Sequence, residues 1–241
     1  MSQKERNEWI ERAKERVLRN AKETDTYVRD IMDLYDETAN QLENEINAMF
    51  QKYAQDNKLD NAEAEKLLSS EEYSRWRKSM DKYVAEAQTD SRKEQLLSQI
   101  YLQMINLAGD TETKLTDLLS DMFKTNYYRS CYDIQSIMGV GFTVAKVDEK
   151  MLKRILEFPW SGKNYSQALW EDTDKLAALA RRELTMGFMS GASVQKMAKS
   201  IDDVMHRGRK NAERLVRTES SYFSNQGQMQ SYQELGIEEY I

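Results

Sequence analysis

The sequence predicts a mainly α-helical fold, and three observations carry that prediction. The 241 residues include one proline and nine glycines, against roughly 12 and 17 at average usage, too few turn-makers for a many-stranded sandwich or barrel. Apolar residues recur every three and four positions over long stretches, the period of an amphipathic helix. Charged residues make up 32% of the chain and hydrophobic ones 40%, a balance that suits helices with one solvated face. The expected architecture is a pair of long N-terminal helices, or one, with a heptad pattern, followed by a helical bundle core. Short β elements are expected near 140–147 and at the C-terminal end.

Each element has its own signal. Val28, Met32, Tyr35, Ala39, Leu42, Ile46, Met49 and Tyr53 alternate spacings of four and three, an a/d heptad over nearly four repeats. Ile10, Val17 and Ala21 extend a weaker stripe upstream. Residues 4–56 therefore read as one helix, or as two joined near Glu23 to Thr26, reaching about 80 Å if straight. The stripe serves either packing on the protein's own helices or a coiled-coil contact with a partner. Asp60 with Glu63, and Ser69 with Glu72, match the capping box and predict helices over 61–68 and 70–87, the second burying Trp76, Met80 and Tyr83. Leu96, Ile100, Met104 and Ile105 predict a helix over 91–108, with Gly109 as its C-cap. Leu115, Leu118, Met122, Phe123, Tyr127, Cys131 and Ile134 carry the next helix to Gly139.

The period breaks at Gly139 to Val147, and Asp148 then caps a helix to about Phe158. Pro159, which disfavours helix at the residue before it, marks the clearest boundary. Beyond it come a helix over 166–189, a separator at Gly191, a second helix capped by Ser193, and a third over 209–235. Gly236 and Ile237 read as a turn entering a strand. The domain expectation is an arm over 1–58, a helical region over 59–158 and a core over 159–241.

Several function classes lack their chemistry. The single Cys131 cannot form an internal disulfide or a multi-thiolate zinc site, which favours an intracellular or intra-particle setting. It lies on an apolar stripe and reads as core packing. The single His206 cannot complete a ferritin-like di-metal site, which takes a Glu-x-x-His from each of two helices, and no nucleophile elbow accompanies it. No metal, no cofactor and no catalytic residue is expected. No apolar run approaches the 18 or so residues of a membrane span. The net charge of -6 offers no global case for nucleic-acid binding. One local patch is distinct: Arg207, Lys210, Arg214 and Arg217 are spaced to share a helical face, with Glu213 as the acidic neighbour, and could bind phosphates or an acidic protein surface.

The run Pro159-Trp-Ser-Gly-Lys-Asn-Tyr-Ser166, then Leu169-Trp170, Gly187 and Gly191, then Asn211-Ala-Glu-Arg-Leu-Val-Arg-Thr-Glu219 and Tyr232-Gln-Glu-Leu-Gly236, resembles the tailed-phage head-morphogenesis or minor head protein family of the Mu F-like type. The motif residues are Pro159, Trp160, Ser161, Gly162, Trp170, Asn211, Ala212, Arg214, Leu215, Arg217, Thr218 and Glu219. The convincing part covers about 80 residues; ahead of it the likeness is one of style.

The resemblance implies a structural role: a minor capsid protein that joins the prohead through the portal protein, works beside capsid or scaffold proteins, and assists head assembly, DNA packaging or ejection. Its implied location is the virion, inside the capsid, and the host cytoplasm during assembly. Viral DNA is a further implied partner, and nonspecific DNA binding through Arg207 to Arg217 is the alternative function. Many members continue past the equivalent of Ile241 into a β-containing segment with Cys-x-x-Cys, so the core is expected to be truncated at its C-terminal end. Some carry toxin domains, which brings in the ADP-ribosyltransferase class. Such enzymes need an NAD-binding arginine and a Glu-x-Glu or Gln-x-Glu turn in a β-rich core, which a helical chain does not supply.

Overall fold

The computed structural model describes residues 3–56, 89–139, 141 and 143–237, and among these it is built from five helices without a strand. They are α1 (Gln3–Asp56), α2 (Thr89–Met138), α3 (Glu149–Glu157), α4 (Tyr165–Ser190) and α5 (Val194–Glu234). The mainly helical class expected from the sequence is what forms. The helices predicted over 61–68 and 70–87 lie outside the described residues, as do residues 238–241 of the expected C-terminal strand.

The chain divides into two compact units, each assembled from distant segments. Unit 1 comprises Met1–Met32, Asp110–Leu169 and Asn211–Ile241; unit 2 comprises Asp33–Gly109 and Trp170–Lys210. In unit 1, Leu115, Leu118, Leu119, Met122 and Phe123 of α2 are fully buried, with Val216 and Phe223 of α5 and Ile31 of α1. In unit 2 the core takes Leu42 and Ile46 from α1, Ile100 and Met104 from α2, Ala180 and Leu184 from α4, and Ile201 and Met205 from α5.

The heptad on α1 is observed with its seam at Val28, Ile31, Tyr35, Thr38 and Leu42, all buried. Thr38 holds a seam position because its hydroxyl donates to the Leu34 carbonyl at 2.8 Å, which satisfies the one polar group it brings inside. Met32 and Ala39, expected on the seam, are half-buried beside it. Upstream the apolar stripe fails: Ile10 and Val17 are 42% and 66% exposed, and polar side chains face inward instead. Arg16 donates to Ser130 Oγ at 3.0 Å and to Asp133 Oδ2 at 3.3 Å. Asn20 donates to Asn126 Oδ1 at 2.9 Å and to Ser224 Oγ at 2.6 Å.

Two predicted breaks do not occur. Gly109 lies inside α2, because Leu107, Ala108, Thr111 and Leu115 around it are all buried and their packing outweighs the weak helix propensity of one glycine. Arg209 does not start a new helix, since α5 runs unbroken from Val194 and places His206 on an exposed face in mid-helix. The strand expected near 140–147 is absent among the described residues there. Tyrosine hydroxyls, rather than a neighbouring strand, take its backbone groups: Tyr127 Oη donates to the Ala145 carbonyl at 3.1 Å, and the Val147 N–H donates to Tyr128 Oη at 2.9 Å.

The helix ends follow their sequence signals. Asp148 accepts from the Lys150 N–H to open α3, and Ser193 accepts from the Lys196 N–H at 3.3 Å to open α5. Asn164 and Gln167 exchange bonds reciprocally, each side chain accepting from the other's backbone N–H at 2.9 and 3.1 Å, a capping box that opens α4. Gly191, at φ 61°, closes α4: its own N–H bonds the Phe188 carbonyl and that of Ala192 bonds Gly187, a Schellman motif that needs a left-handed residue. The same pair of bonds at Gly236 and Ile237 closes α5.

Candidate functional site

Pro159 organises the candidate site. It follows α3 and holds Phe158 extended at ψ 123°, as the residue before a proline prefers. Bonds from Trp160 N–H to the Phe158 carbonyl and from Gly162 N–H to the Pro159 carbonyl, 2.9 and 3.0 Å, then tighten the chain into a turn. The turn sets Trp160 against α5. Its indole Nε1 donates to Glu219 Oε2 at 3.0 Å, and its ring stacks on Tyr222 with centroids 4.2 Å apart and planes 8° from parallel. Tyr222 meets Phe223 edge-on at 5.2 Å, which ties the node to the buried core. Nearby, Tyr165 and Thr116 share a hydroxyl–hydroxyl bond of 2.7 Å between α4 and α2.

Glu219 is a buried carboxyl, 3% exposed. Burial pushes it above the usual carboxylate range, and the Trp160 bond partly opposes that rise. Beside the node lies a cavity of about 490 Å³ lined by Arg154, Ile155 and Phe158 on one side and Tyr222, Gln226 and Gln230 on the other.

The motif residues expected from sequence do not all meet at this node. Trp160 and Glu219 come together, and Pro159 and Gly162, the latter at φ 93°, build the turn that presents the indole. Ala212 is buried, and Leu215 half-buried, on the inward side of α5, whereas Asn211, Arg214 and Thr218 are exposed. Ser161 donates to the Lys163 carbonyl at the surface, and half-buried Trp170 belongs to unit 2. Tyr222 escaped the sequence reading; its signal was its position three residues after Glu219, on the same helical face.

Along α5 the cations Arg207, Lys210, Arg214 and Arg217 are exposed. Arg217 is committed: it donates to Asp25 Oδ1 at 2.7 Å and to Glu213 Oε1 at 3.0 Å. The remaining three have no acidic partner among the described residues. Cys131 is buried, 1% exposed, and burial pushes its thiol up to about 11, the environment of a packing residue rather than a nucleophile. Among the described residues no group of three His, Cys, Asp or Glu is placed to hold a metal ion, and no helix is long and apolar enough to cross a membrane.

No family model matches the chain, and no solved structure matches it. The chain is similar to a curated protein, NAD(+)–arginine ADP-ribosyltransferase EFV of Enterococcus faecalis, with 24% identity over 114 residues. The match takes 46% of this chain and 23% of the relative, so less than a quarter of the relative's length has a counterpart in it.

Proposed function

We propose that the protein is a minor head protein of a tailed phage, which associates with the portal protein inside the prohead and assists head assembly, DNA packaging or ejection. The observation that supports this reading is the junction of Trp160 with Glu219 and Tyr222. The two stretches that resemble the family, one around Pro159 and one ending at Glu219, lie 59 residues apart at that bond. Two likenesses arising separately by chance have no physical reason to meet around one buried carboxyl. A shared core has that reason, since each stretch supplies the partner the other's polar group needs. A 54-residue α1, about 80 Å long, suits a protein whose work is bridging larger assemblies.

Co-purification tests the reading. Co-expressed with the portal protein of its own phage, the chain is expected to bind portal and to be retained in purified proheads. Failure to bind portal, together with absence from proheads, overturns the proposal.

The likeness to an ADP-ribosyltransferase favours a second reading, in which the chain transfers ADP-ribose from NAD to arginine. Two features weigh against it. The phage-family resemblance implies that toxin domains follow the helical core rather than lie within it. Glu219, a carboxylate of the core, is buried and engaged by Trp160 rather than open to a substrate. An NAD-hydrolysis assay separates the readings: no turnover is expected, and turnover abolished by Glu219→Gln would establish the enzyme reading instead.

A further inference from the structure

The first part of α1 and the later part of α2 enclose, within unit 1, a cleft of about 450 Å³ lined by Arg12, Arg16, Arg19, Arg129, Tyr132 and Asp133. Its one inward carboxylate is spent. Asp133 accepts from Arg12 through Oδ1 at 3.0 Å and from Arg16 through Oδ2 at 3.3 Å, and Glu8 takes the other terminal nitrogen of Arg12 at 2.7 Å. Arg19 is left over. Its Nε and Nη2 are both shielded from solvent and have no hydrogen-bond partner. Those two N–H groups form one edge of the guanidinium fork, the edge that meets both oxygens of a carboxylate or phosphate side-on. Burial, and after it the charge of Arg129, push the Arg19 guanidinium below its ordinary value. A shielded, charged donor edge without an acceptor is costly to a fold, and here a second guanidinium, that of Arg129, lines the same cleft.

The rim identifies the kind of anion. Glu8, Glu11 and Glu15 are exposed along α1 at the edge of the cleft; Glu8 is paired with Arg12 and Glu11 with Lys14, and both pairs are at the solvent surface, where the carboxylates still contribute to the field at the rim. Like charges at that rim disfavour a polyanion such as a nucleic-acid backbone, while they attract cations flanking a single negative group. Tyr132, 64% exposed, offers an aromatic wall, with the Arg12 guanidinium 5.7 Å from its ring centroid. We infer that Arg19 and Arg129 bind one carboxylate of a partner protein, an acidic side chain set between basic residues. Arg19 as a whole is half-buried and lines the cleft, so its side chain borders the space the incoming group would occupy. The inference is independent of the phage reading.

Nitrogen-edited NMR of the full chain reads the site directly, with the Arg19 Nε–Hε signal identified by its loss in Arg19→Lys. Titration with acetyl-Lys-Glu-Lys-amide at low ionic strength is expected to shift that signal saturably. Acetyl-Lys-Gln-Lys-amide is expected to bind at least about tenfold more weakly, as is the Glu peptide to Arg19→Lys, which keeps the charge but loses the fork, and to Arg129→Gln. Arg129 is exposed, so that variant tests the site without disturbing the interior. Absence of a saturable shift, equal binding of the Gln peptide, or unchanged affinity in both variants overturns the proposal. So does tighter binding of inorganic phosphate or duplex DNA than of the Glu peptide, which would assign the cleft to a phosphate ligand.

Discussion

Trp160 donates its indole N–H to the buried carboxylate of Glu219 at 3.0 Å, across 59 residues of sequence, and this bond joins the turn after α3 to the middle of α5. Replacing Trp160 with Phe keeps the ring for Tyr222 but removes the donor and leaves a buried acceptor without its partner. The expected loss is about 1–3 kcal/mol, read from chemical denaturation. Unchanged stability would mean that water replaces the indole.

The same carboxyl makes stability depend on pH in an unusual direction. Its folded value is raised by burial, so the native state holds the proton more tightly than the unfolded chain does. Unfolding free energy therefore falls as pH rises through the interval from the ordinary carboxylate value to the raised folded one, and levels off above it. Its contribution is fully present below the ordinary value. Glu219→Gln is expected to flatten that part of the curve; a slope unchanged in the variant would place its origin elsewhere.

Two glycines form an internal control. A Cβ added at Gly227 would sit 2.2 Å from the Phe123 carbonyl oxygen, so α5 and α2 would have to part within the core of unit 1. Gly227→Ala is expected to cost about 2 kcal/mol or more. At Gly109 nothing lies within 4 Å of the new atom and the residue is helical, so Gly109→Ala is expected to stabilise by roughly 0.5–1 kcal/mol. Thermal melting of the two variants should move in opposite directions.

Those two glycines also mark the boundary of what the sequence reveals. Helix starts at Asp148 and Ser193 and the helix end just ahead of Pro159 were legible because each depends on a single local bond or a fixed dihedral. The heptad around Val28 was legible because apolar side chains announce where they pack. Gly109 misled because a glycine stops a helix only when its neighbours give the helix no reason to continue, and that reason lies in tertiary burial. The inward face of early α1 misled for a related reason. Arg16 and Asn20 look like solvated residues until their partners, Ser130, Asp133, Asn126 and Ser224, arrive from more than 100 positions away. Trp160 and Glu219 were singled out as motif residues, without a role for either; Tyr222 acquires its role from the stack.

The polar seam of α1 gives ion pairs of two kinds. Arg16 is 6% exposed and relies on Asp133, so Asp133→Asn strands a shielded cation and is expected to cost about 3 kcal/mol. Asp25 and Arg217 form a shorter pair, 2.7 Å against 3.3 Å, but at the surface, 55% and 48% exposed, where solvent screens the attraction. Asp25→Asn is therefore expected to cost less than about 1 kcal/mol. Equal losses in urea denaturation would mean that water reaches the Arg16 pair as freely as the surface one.

Cys131 supplies a probe of unit 1 as a whole. Its thiol is buried against the core and held at about 11, so at neutral pH the thiolate fraction is small and the sulfur is shielded from reagent. Labelling by a disulfide reagent such as DTNB should be slow in the native state and should speed up with denaturant in step with unfolding, because only opening of the core exposes the group. Asp133→Asn is expected to accelerate labelling, since Asp133 lies two residues after Cys131 on α2 and its loss loosens the contact between α1 and α2 in that unit. Gly109→Ala, by contrast, should leave the rate unchanged, since it lies in the other unit and meets nothing. Rapid stoichiometric labelling of the native protein would show that the core around Cys131 is open.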